Sequence, residues 1–224
     1  MIHKLILRRR TMALVYNIGG PNPNFKDLND IDSTTLTQGD NTIQIYPGTY
    51  TAPLGMVATD VSFKGMGDRD AVIIEANSAL GMTIGNTSSG SITFENLTIK
   101  GQDNVLTGNP AGANCGITKL GAASTPLVFR NVKFVNCEHA VTHDAEPAFA
   151  TTTDQVQMHY CQADVDKAIR ANANVHATYT LFGANAYHTA LSGSAPAIHI
   201  KTLLCGPNTA NVGNATETIQ ATIA

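Results

Sequence analysis

Apolar and polar residues alternate in short segments from about residue 41 to the end of the chain. Alternation at a period of two is typical of strands with one buried face, and the segments are rich in Val, Ile, Thr and Phe, which favour strands. No segment between them has the length and periodicity of a crossover helix. The pattern predicts an all-β domain over 41–224. The clearest segments are 42–46 (TIQIY), 61–63 (VSF), 71–74 (AVII), 92–99 (ITFENLTI), 127–134 (LVFRNVKF), 156–160 (VQMHY) and 198–200 (IHI).

These segments repeat at a loose period. Segments 92–99 and 127–134 share the pattern Phe-x-Asn-apolar-x-apolar, and Phe94 and Phe129 are 35 residues apart. Phe63 precedes Phe94 by 31 residues, and Met158 follows Phe129 by 29. A period of 20–50 residues is the signature of a repeat architecture whose units bury their inner faces by stacking. A propeller needs about four strands per blade and a longer chain, so the pattern favours a parallel β-helix, a solenoid with one continuous core.

Four residues are predicted to form turns between the strands of a repeat. Pro47 and Gly48 follow the first alternating segment, and Asn96 and Asn131 interrupt two later ones. Asparagine tolerates the left-handed backbone conformation, and its amide can bond to neighbouring backbone. Stacked on successive repeats, Asn96 and Asn131 would form a ladder of amides. The alternative is two separate asparagines in solvent-facing turns.

Segments 43–50 (IQIYPGTY), 61–67 (VSFKGMG) and 72–74 (VII) together carry a family resemblance. They resemble the first coils of the pectate-lyase-like superfamily, which includes pectin methylesterases, polygalacturonases and many bacteriophage tailspikes and virion proteins. The resemblance covers residues 41–137. It implies a single-stranded right-handed parallel β-helix, preceded here by an extended N-terminal arm. It implies little about activity, because one fold hosts many functions.

Composition narrows the classes of function. The chain of 224 residues has a formal net charge of −3 and only 14% charged residues, so it lacks the basic surface of a nucleic-acid-binding domain. No apolar run approaches the roughly 18 residues of a membrane helix. The beginning of the chain has no apolar signal-peptide core, so we expect synthesis in the host cytoplasm without a signal peptide. The four cysteines show no metal-binding spacing and are expected to be mostly reduced core residues.

Residues 1–40 differ from the rest and are predicted to form an N-terminal arm and capping segment. Arg8, Arg9 and Arg10 are the densest group of cations in the sequence, and 19–23 (GGPNP) is a cluster of helix and strand breakers. We expect the three arginines to contact a partner, such as acidic residues of a viral shell. The alternative is that residues 1–11 are an unstructured leader.

Two groups of residues would be tested first if the chain were an enzyme. Asp164 and Asp166 alternate, which would place two carboxylates on one strand face. His139, His143 and Asp144 lie in the segment HAVTHD, where the two histidines have a metal-binding spacing only if the segment is helical. Structural or solvated roles are the simpler interpretation of both groups. The motifs that the resembling enzymes use are not found, no metal or cofactor is predicted, and the chain has no Trp for stacking on sugars.

The sequence therefore predicts a non-enzymatic structural protein of a bacteriophage virion, located on the virion surface. In this hypothesis a homotrimer decorates the capsid, the arm binds the major capsid protein or another virion protein, and the β-helix projects outward. Two alternatives stay open: a polysaccharide lyase, esterase or hydrolase, and a glycan-binding tail adhesin without catalysis. The C-terminal segment 217–224 (ETIQATIA) alternates like a strand, which would either cap the domain or pair with a neighbouring subunit.

Overall fold

Short strands dominate the computed structural model of the chain. Two 3-10 helices, Leu28–Asp30 and Arg69–Ala71, and one short α-helix, α1 (Ser33–Thr37), complete the described elements. None of these helices is long and apolar enough to span a membrane. The structure describes residues 13–78, 80–85, 88–102, 115–120, 126–137, 139–143, 155–164, 167–170, 174–178, 181–182, 188–189, 197–201 and 216–219.

The structure describes 18 strands, and each of the seven alternating segments overlaps one of them. The first nine are β1 (Val15–Ile18), β2 (Asn41–Ile45), β3 (Gly48–Thr51), β4 (Thr59–Gly65), β5 (Val72–Glu75), β6 (Met82–Ile84), β7 (Ser89–Lys100), β8 (Cys115–Lys119) and β9 (Leu127–Val135). The next nine are β10 (His139–His143), β11 (Gln155–His159), β12 (Gln162–Asp164), β13 (Lys167–Arg170), β14 (Asn174–Thr178), β15 (Leu181–Phe182), β16 (His188–Thr189), β17 (Ala197–Lys201) and β18 (Thr216–Ile219).

The described strands form two sheets, and every pairing between them is parallel. The larger sheet has 13 strands, with the central order β1-β2-β4-β7-β9-β11-β14-β17-β18. The smaller sheet has five strands, in the order β16-β13-β10-β8-β6. Strands that are neighbours in a sheet are therefore mostly not consecutive in the sequence.

This topology corrects the predicted fold class. We expected a single-stranded right-handed parallel β-helix with an extended N-terminal arm; the described residues show two parallel sheets, of 13 and 5 strands, and not that solenoid. The reason is that a repeat of about 30 residues indicates which strands are equivalent and pair. It does not specify how the strands divide between sheets or how the chain passes from one sheet to the other.

The core is built from equivalent apolar positions in register. Phe63 of β4 pairs with Phe94 of β7, which pairs with Phe129 of β9, which pairs with Met158 of β11, and all four side chains are fully buried. The rings of Phe63 and Phe94 stack with centroids 5.2 Å apart, and those of Phe94 and Phe129 at 5.5 Å. Stacked pairs of this kind add about 0.5–1.5 kcal/mol each beyond the burial of their area.

Both sheets contribute to one hydrophobic cluster. Met82 and Ile84 of β6 and Ile117 of β8, all from the smaller sheet, are fully buried in the same cluster as the stacked phenylalanines of the larger sheet. Cys137 and Cys161 are buried there, which confirms for these two the predicted position in the core. Cys115 lies in β8, and Cys205 lies outside the described residues.

Residues 13–40 are folded against this cluster rather than extended, which is the second part of the correction. β1 pairs in parallel with β2, across the boundary predicted at 40/41. Leu28, Ile31 and Leu36, from the helical segment that follows, are buried in the shared cluster. A capping box at Asp27 begins the first 3-10 helix, and the same carboxylate accepts a hydrogen bond of 3.2 Å from the backbone N–H of Thr51 in β3.

Candidate functional site

A column of residues with left-handed backbone crosses the larger sheet where β7 and β9 bend. Asn96 has φ +55° and Asn131 has φ +51°, and Tyr160, after β11, has φ +55°. Because Arg130 pairs with His159, and Lys133 with Gln162, Tyr160 follows its strand at the position that Asn131 has in β9. We call these three residues the bend column.

The amides of the bend column connect successive strands. Asn131 donates a hydrogen bond of 2.7 Å from Nδ2 to Oδ1 of Asn96. Asn96 in turn donates from its own Nδ2 to the carbonyl oxygens of Gly65, at 3.0 Å, and Gly67, at 2.7 Å. The predicted ladder of amides is therefore present between Asn96 and Asn131. Glycine is required at position 65, because a Cβ atom there would lie only 1.9 Å from the carbonyl oxygen of Asn96.

The turn that contains the second 3-10 helix (Arg69–Ala71) lies over the bend column and places charged side chains next to it. Asp68 caps this turn by accepting a hydrogen bond of 2.9 Å from the backbone N–H of Asp70. Arg69 donates from Nη1 to Oδ1 of Asn131 at 3.3 Å. The backbone carbonyl of Arg69 accepts a hydrogen bond of 3.1 Å from the hydroxyl of Thr98, whose side chain is buried. The turn is thus attached to both β7 and β9.

The ionised form of Asp70 is favoured by Lys133 of β9 and by Arg69 of the same turn. Its Oδ1 atom lies 3.2 Å from Nζ of Lys133 and 3.5 Å from Nε of Arg69. The hydrogen bond from Lys133, together with the charges of Lys133 and Arg69, lowers the pKa of Asp70 below its ordinary value. A paired carboxylate that stays ionised at neutral pH is a poor general acid, so this cluster is suited to holding the turn in place rather than to proton transfer.

A second column, on the solvent-facing side of the larger sheet, carries alternating charges. Lys64 of β4 pairs with Glu95 of β7, and their side chains form a salt bridge of 3.1 Å. Glu95 pairs with Arg130, and Arg130 with His159. Exposed pairs of this kind contribute about 0–1 kcal/mol, so the column sets the charge of the surface more than the stability of the fold.

The candidate catalytic residues are divided between the two sheets. His139 and His143 both lie on β10, in the smaller sheet, where His139 pairs with Cys115 and with Lys167. Asp164 ends β12, in the larger sheet, and pairs with Val135. Because β10 is a strand, four residues span about 13 Å, and the helical spacing that would bring the two histidines to one metal is not formed.

Several predicted site residues lie outside the described residues. These are Arg8, Arg9 and Arg10, together with Asp144 and Asp166. Among the predicted turn residues, Pro47 lies between β2 and β3, and Gly48 is the first residue of β3, paired with Val72. Within the part of the chain that the structure describes, no group of three or more His, Cys, Asp or Glu side chains is arranged to hold a metal ion.

Sequence reasoning missed Arg69, Asp70, Lys133 and Tyr160. A signal for Tyr160 was present: aligning Met158 with Phe129 places Tyr160 opposite Asn131, at a position where the repeat uses asparagine. For the other three the sequence offers no such signal, because Asp70 and Lys133 are 63 residues apart in the chain and meet only through strand pairing.

Comparison with known proteins adds no assignment. No protein-family model matches the chain, and a search of the curated proteins finds no match either.

Proposed function

We propose that the chain is a non-enzymatic structural protein of a bacteriophage virion. In this proposal it decorates the capsid surface as a homotrimer, and its N-terminal residues bind the major capsid protein or another virion protein. The folded stack of parallel strands is the part that projects from the shell.

The observation that carries the proposal is the set of side-chain contacts that join neighbouring strands of the larger sheet. Nine strands follow one another from β1 to β18, and at a spacing of about 4.8 Å they extend roughly 38 Å across the sheet. Stacked phenylalanines join β4, β7 and β9 on their buried face. Where β7 and β9 bend, the asparagines of the bend column and Arg69 join the strands by hydrogen bonds. Strands β4, β7 and β9 are thus held together both in the core and at the bends, and a stack of strands joined in this way suits a spacer or surface ornament.

Self-association is supported by the last strand of the sheet. In the described residues β18 pairs with β17 on one side only. A strand with an unpaired edge is a template for pairing with another chain unless something covers it. In a homotrimer, a neighbouring subunit would cover this edge of β18.

The location on a virion rests on the sequence resemblance of residues 41–137 alone, without the fold that was expected from it. The shell contact rests on the three consecutive arginines, Arg8, Arg9 and Arg10. Arginine forms bidentate hydrogen bonds with carboxylates, so an acidic patch on the capsid is the partner surface that fits them.

The mass of the purified protein in solution tests self-association. We expect light scattering to give the mass of three chains, both for the full chain and for a variant that lacks residues 1–11. The truncated variant is the control, because it shows whether the chains associate without the N-terminal residues. A single-chain mass for both, across a wide range of protein concentration, would overturn the trimer.

Fractionation of particles tests the location. We expect the chain to co-sediment with virions on a density gradient, and the triple variant R8A/R9A/R10A, produced in the same host, to be strongly depleted from the particle fractions. Recovery of the unaltered chain only among the free proteins would overturn the virion assignment. Equal occupancy by the variant would overturn the role of the arginines and leave the assignment itself standing.

A further inference from the structure

The first strand of the larger sheet has a strand on one side and a folded-back segment on the other. β1 pairs with β2, and on that side the carbonyl oxygens of Leu14 and Ile18 accept hydrogen bonds of 2.9 and 3.0 Å from backbone N–H groups. Alternate residues of a parallel strand bond on opposite sides, so the backbone groups of Asn17 belong to the outer edge. There a parallel bridge between Ile18 and Phe25 brings the chain back alongside β1. We call residues 19–25 the edge latch.

Hydrogen bonds to both backbone groups of Asn17 close the edge latch. The N–H of Asn17 donates to Oδ1 of Asn24 at 2.8 Å. Its carbonyl oxygen accepts from the N–H groups of Asn24, at 2.9 Å, and Phe25, at 3.1 Å, and the N–H of Gly19 donates to the carbonyl oxygen of Phe25 at 3.3 Å. The rings of Phe25 and Tyr16 lie with centroids 5.9 Å apart, and both pack against the core cluster. The latch therefore occupies groups that an edge strand would otherwise offer to another chain.

The sequence of the edge latch determines its path. Gly20 has φ +70°, and a Cβ atom there would lie 2.5 Å from Cγ of Tyr46, so the reversal requires glycine at this position. Asn22 also has left-handed backbone, with φ +56°. Pro21 and Pro23 have no N–H, and proline is one of the residues that keep a sheet edge from pairing further. The cluster of breakers in the sequence thus closes the edge of the sheet.

We propose that the edge latch prevents a second copy of this chain from adding to β1, and so confines self-association to other surfaces. An unpaired edge is a template for another chain, and the same strand of a second copy, related by a two-fold axis, is a self-complementary partner. Leu14 and Val15 are 43% and 55% exposed and would add apolar contact to such a pair. The latch is an autoinhibitory contact, because it must open before Asn17 can bond to another copy. This inference holds whether the unaltered chain is a monomer or a trimer.

The variant Asn24→Leu tests the latch, because it removes the oxygen that accepts from Asn17 while keeping a side chain of similar size. In hydrogen exchange of the full chain, the Asn17 amide should exchange roughly fivefold faster, the change expected for the loss of one hydrogen bond. Sedimentation velocity at increasing protein concentration should then show a species of about twice the mass of the unaltered assembly. Asn24→Asp is the matched control, because its carboxylate keeps an acceptor oxygen, and it should behave as the unaltered chain does. The amide of Phe63 in β4 should keep its protection in both variants, which shows that the fold is intact.

Cross-linking tests where the two copies meet. Under mild oxidation, Val15→Cys combined with Asn24→Leu should form a disulfide between the introduced cysteines of two copies, located by peptide mass mapping, and far less of it with Asn24 unaltered. Phe25→Ala removes the ring contact with Tyr16 and should change exchange and mass in the same direction as Asn24→Leu. Unchanged exchange of Asn17 in both latch variants, faster exchange without association, equal association in Asn24→Asp, or association without a cross-link at position 15 would each overturn the proposal.

Discussion

Asn131 donates a hydrogen bond of 2.7 Å to the side chain of Asn96, a residue 35 positions earlier in the chain. Both residues have left-handed backbone, which asparagine adopts more readily than other residues with a Cβ atom. The amide therefore serves two purposes at once: it tolerates the bend, and it connects β9 to β7. This relationship leads to the first two predictions.

Replacing Asn131 by alanine is expected to lower the free energy of unfolding by about 2 kcal/mol. Roughly 1 kcal/mol comes from the left-handed backbone and about 1 kcal/mol from the lost hydrogen bonds to Asn96 and Arg69. Asn131→Gly is the matched control, because glycine accepts the backbone but loses the same hydrogen bonds, and it should cost less than alanine. Urea denaturation measures both; equal losses would show that the backbone conformation is not part of the effect.

Tyr160 is expected to be a destabilising residue at its position. It is 64% exposed and has φ +55°, a conformation that is unfavourable for a bulky side chain. Tyr160→Asn should raise the free energy of unfolding by about 0.5–1 kcal/mol, because asparagine tolerates this backbone better. Tyr160→Phe controls for the hydroxyl group and should give no such gain. A loss of stability in the asparagine variant would indicate that contacts of the ring outweigh the backbone cost.

Phe94 is expected to be more sensitive to truncation than Phe63, because its ring stacks on both Phe63 and Phe129. Phe94→Ala should cost about 3–5 kcal/mol through lost burial and the cavity left behind. Phe94→Leu keeps most of the volume and should cost clearly less. In a double-mutant cycle with Phe63→Leu, thermal or urea unfolding should give a coupling of about 0.5–1.5 kcal/mol. Additive effects would mean that the stacking itself contributes nothing.

Cys161 should make the fold sensitive to alkaline pH. Burial raises the pKa of its thiol from 9.0 to about 11. Below pH 9 the thiol is protonated in both states; between pH 9 and 11 only the unfolded chain ionises, so stability falls as pH rises, by up to about 3 kcal/mol. The comparison is with Cys161→Val, which keeps an apolar group of similar size and should lose less over that pH range.

Reactivity gives an independent check on Cys161. The thiolate is the reactive form, so the buried thiol should react with an aromatic disulfide at pH 8 only after urea unfolds the chain. Rapid modification of Cys161 in the folded protein, located by peptide mass mapping, would contradict both the burial and the raised pKa.

Much of the secondary structure and of the core could be predicted from the pattern of neighbouring residues in the sequence. Alternation at a period of two identified the strands and the apolar positions of β2, β4, β7 and β9, because the two faces of a strand are distinguished by neighbouring residues alone. The shared pattern around Phe94 and Phe129 also indicated bends at Asn96 and Asn131, since left-handed backbone is a local preference of asparagine.

The division of the strands into sheets of 13 and 5, and the cluster of Arg69, Asp70 and Lys133, were decided by the tertiary structure. These features depend on which strands pair across tens of residues, and the hydrogen bonds of a parallel ladder are the same whatever side chains they bring together. The sequence by itself thus determined strands, bends and core positions in the repeated segments after residue 41; only the folded chain determined which strands pair, how residues 13–40 pack and which side chains meet on the surface.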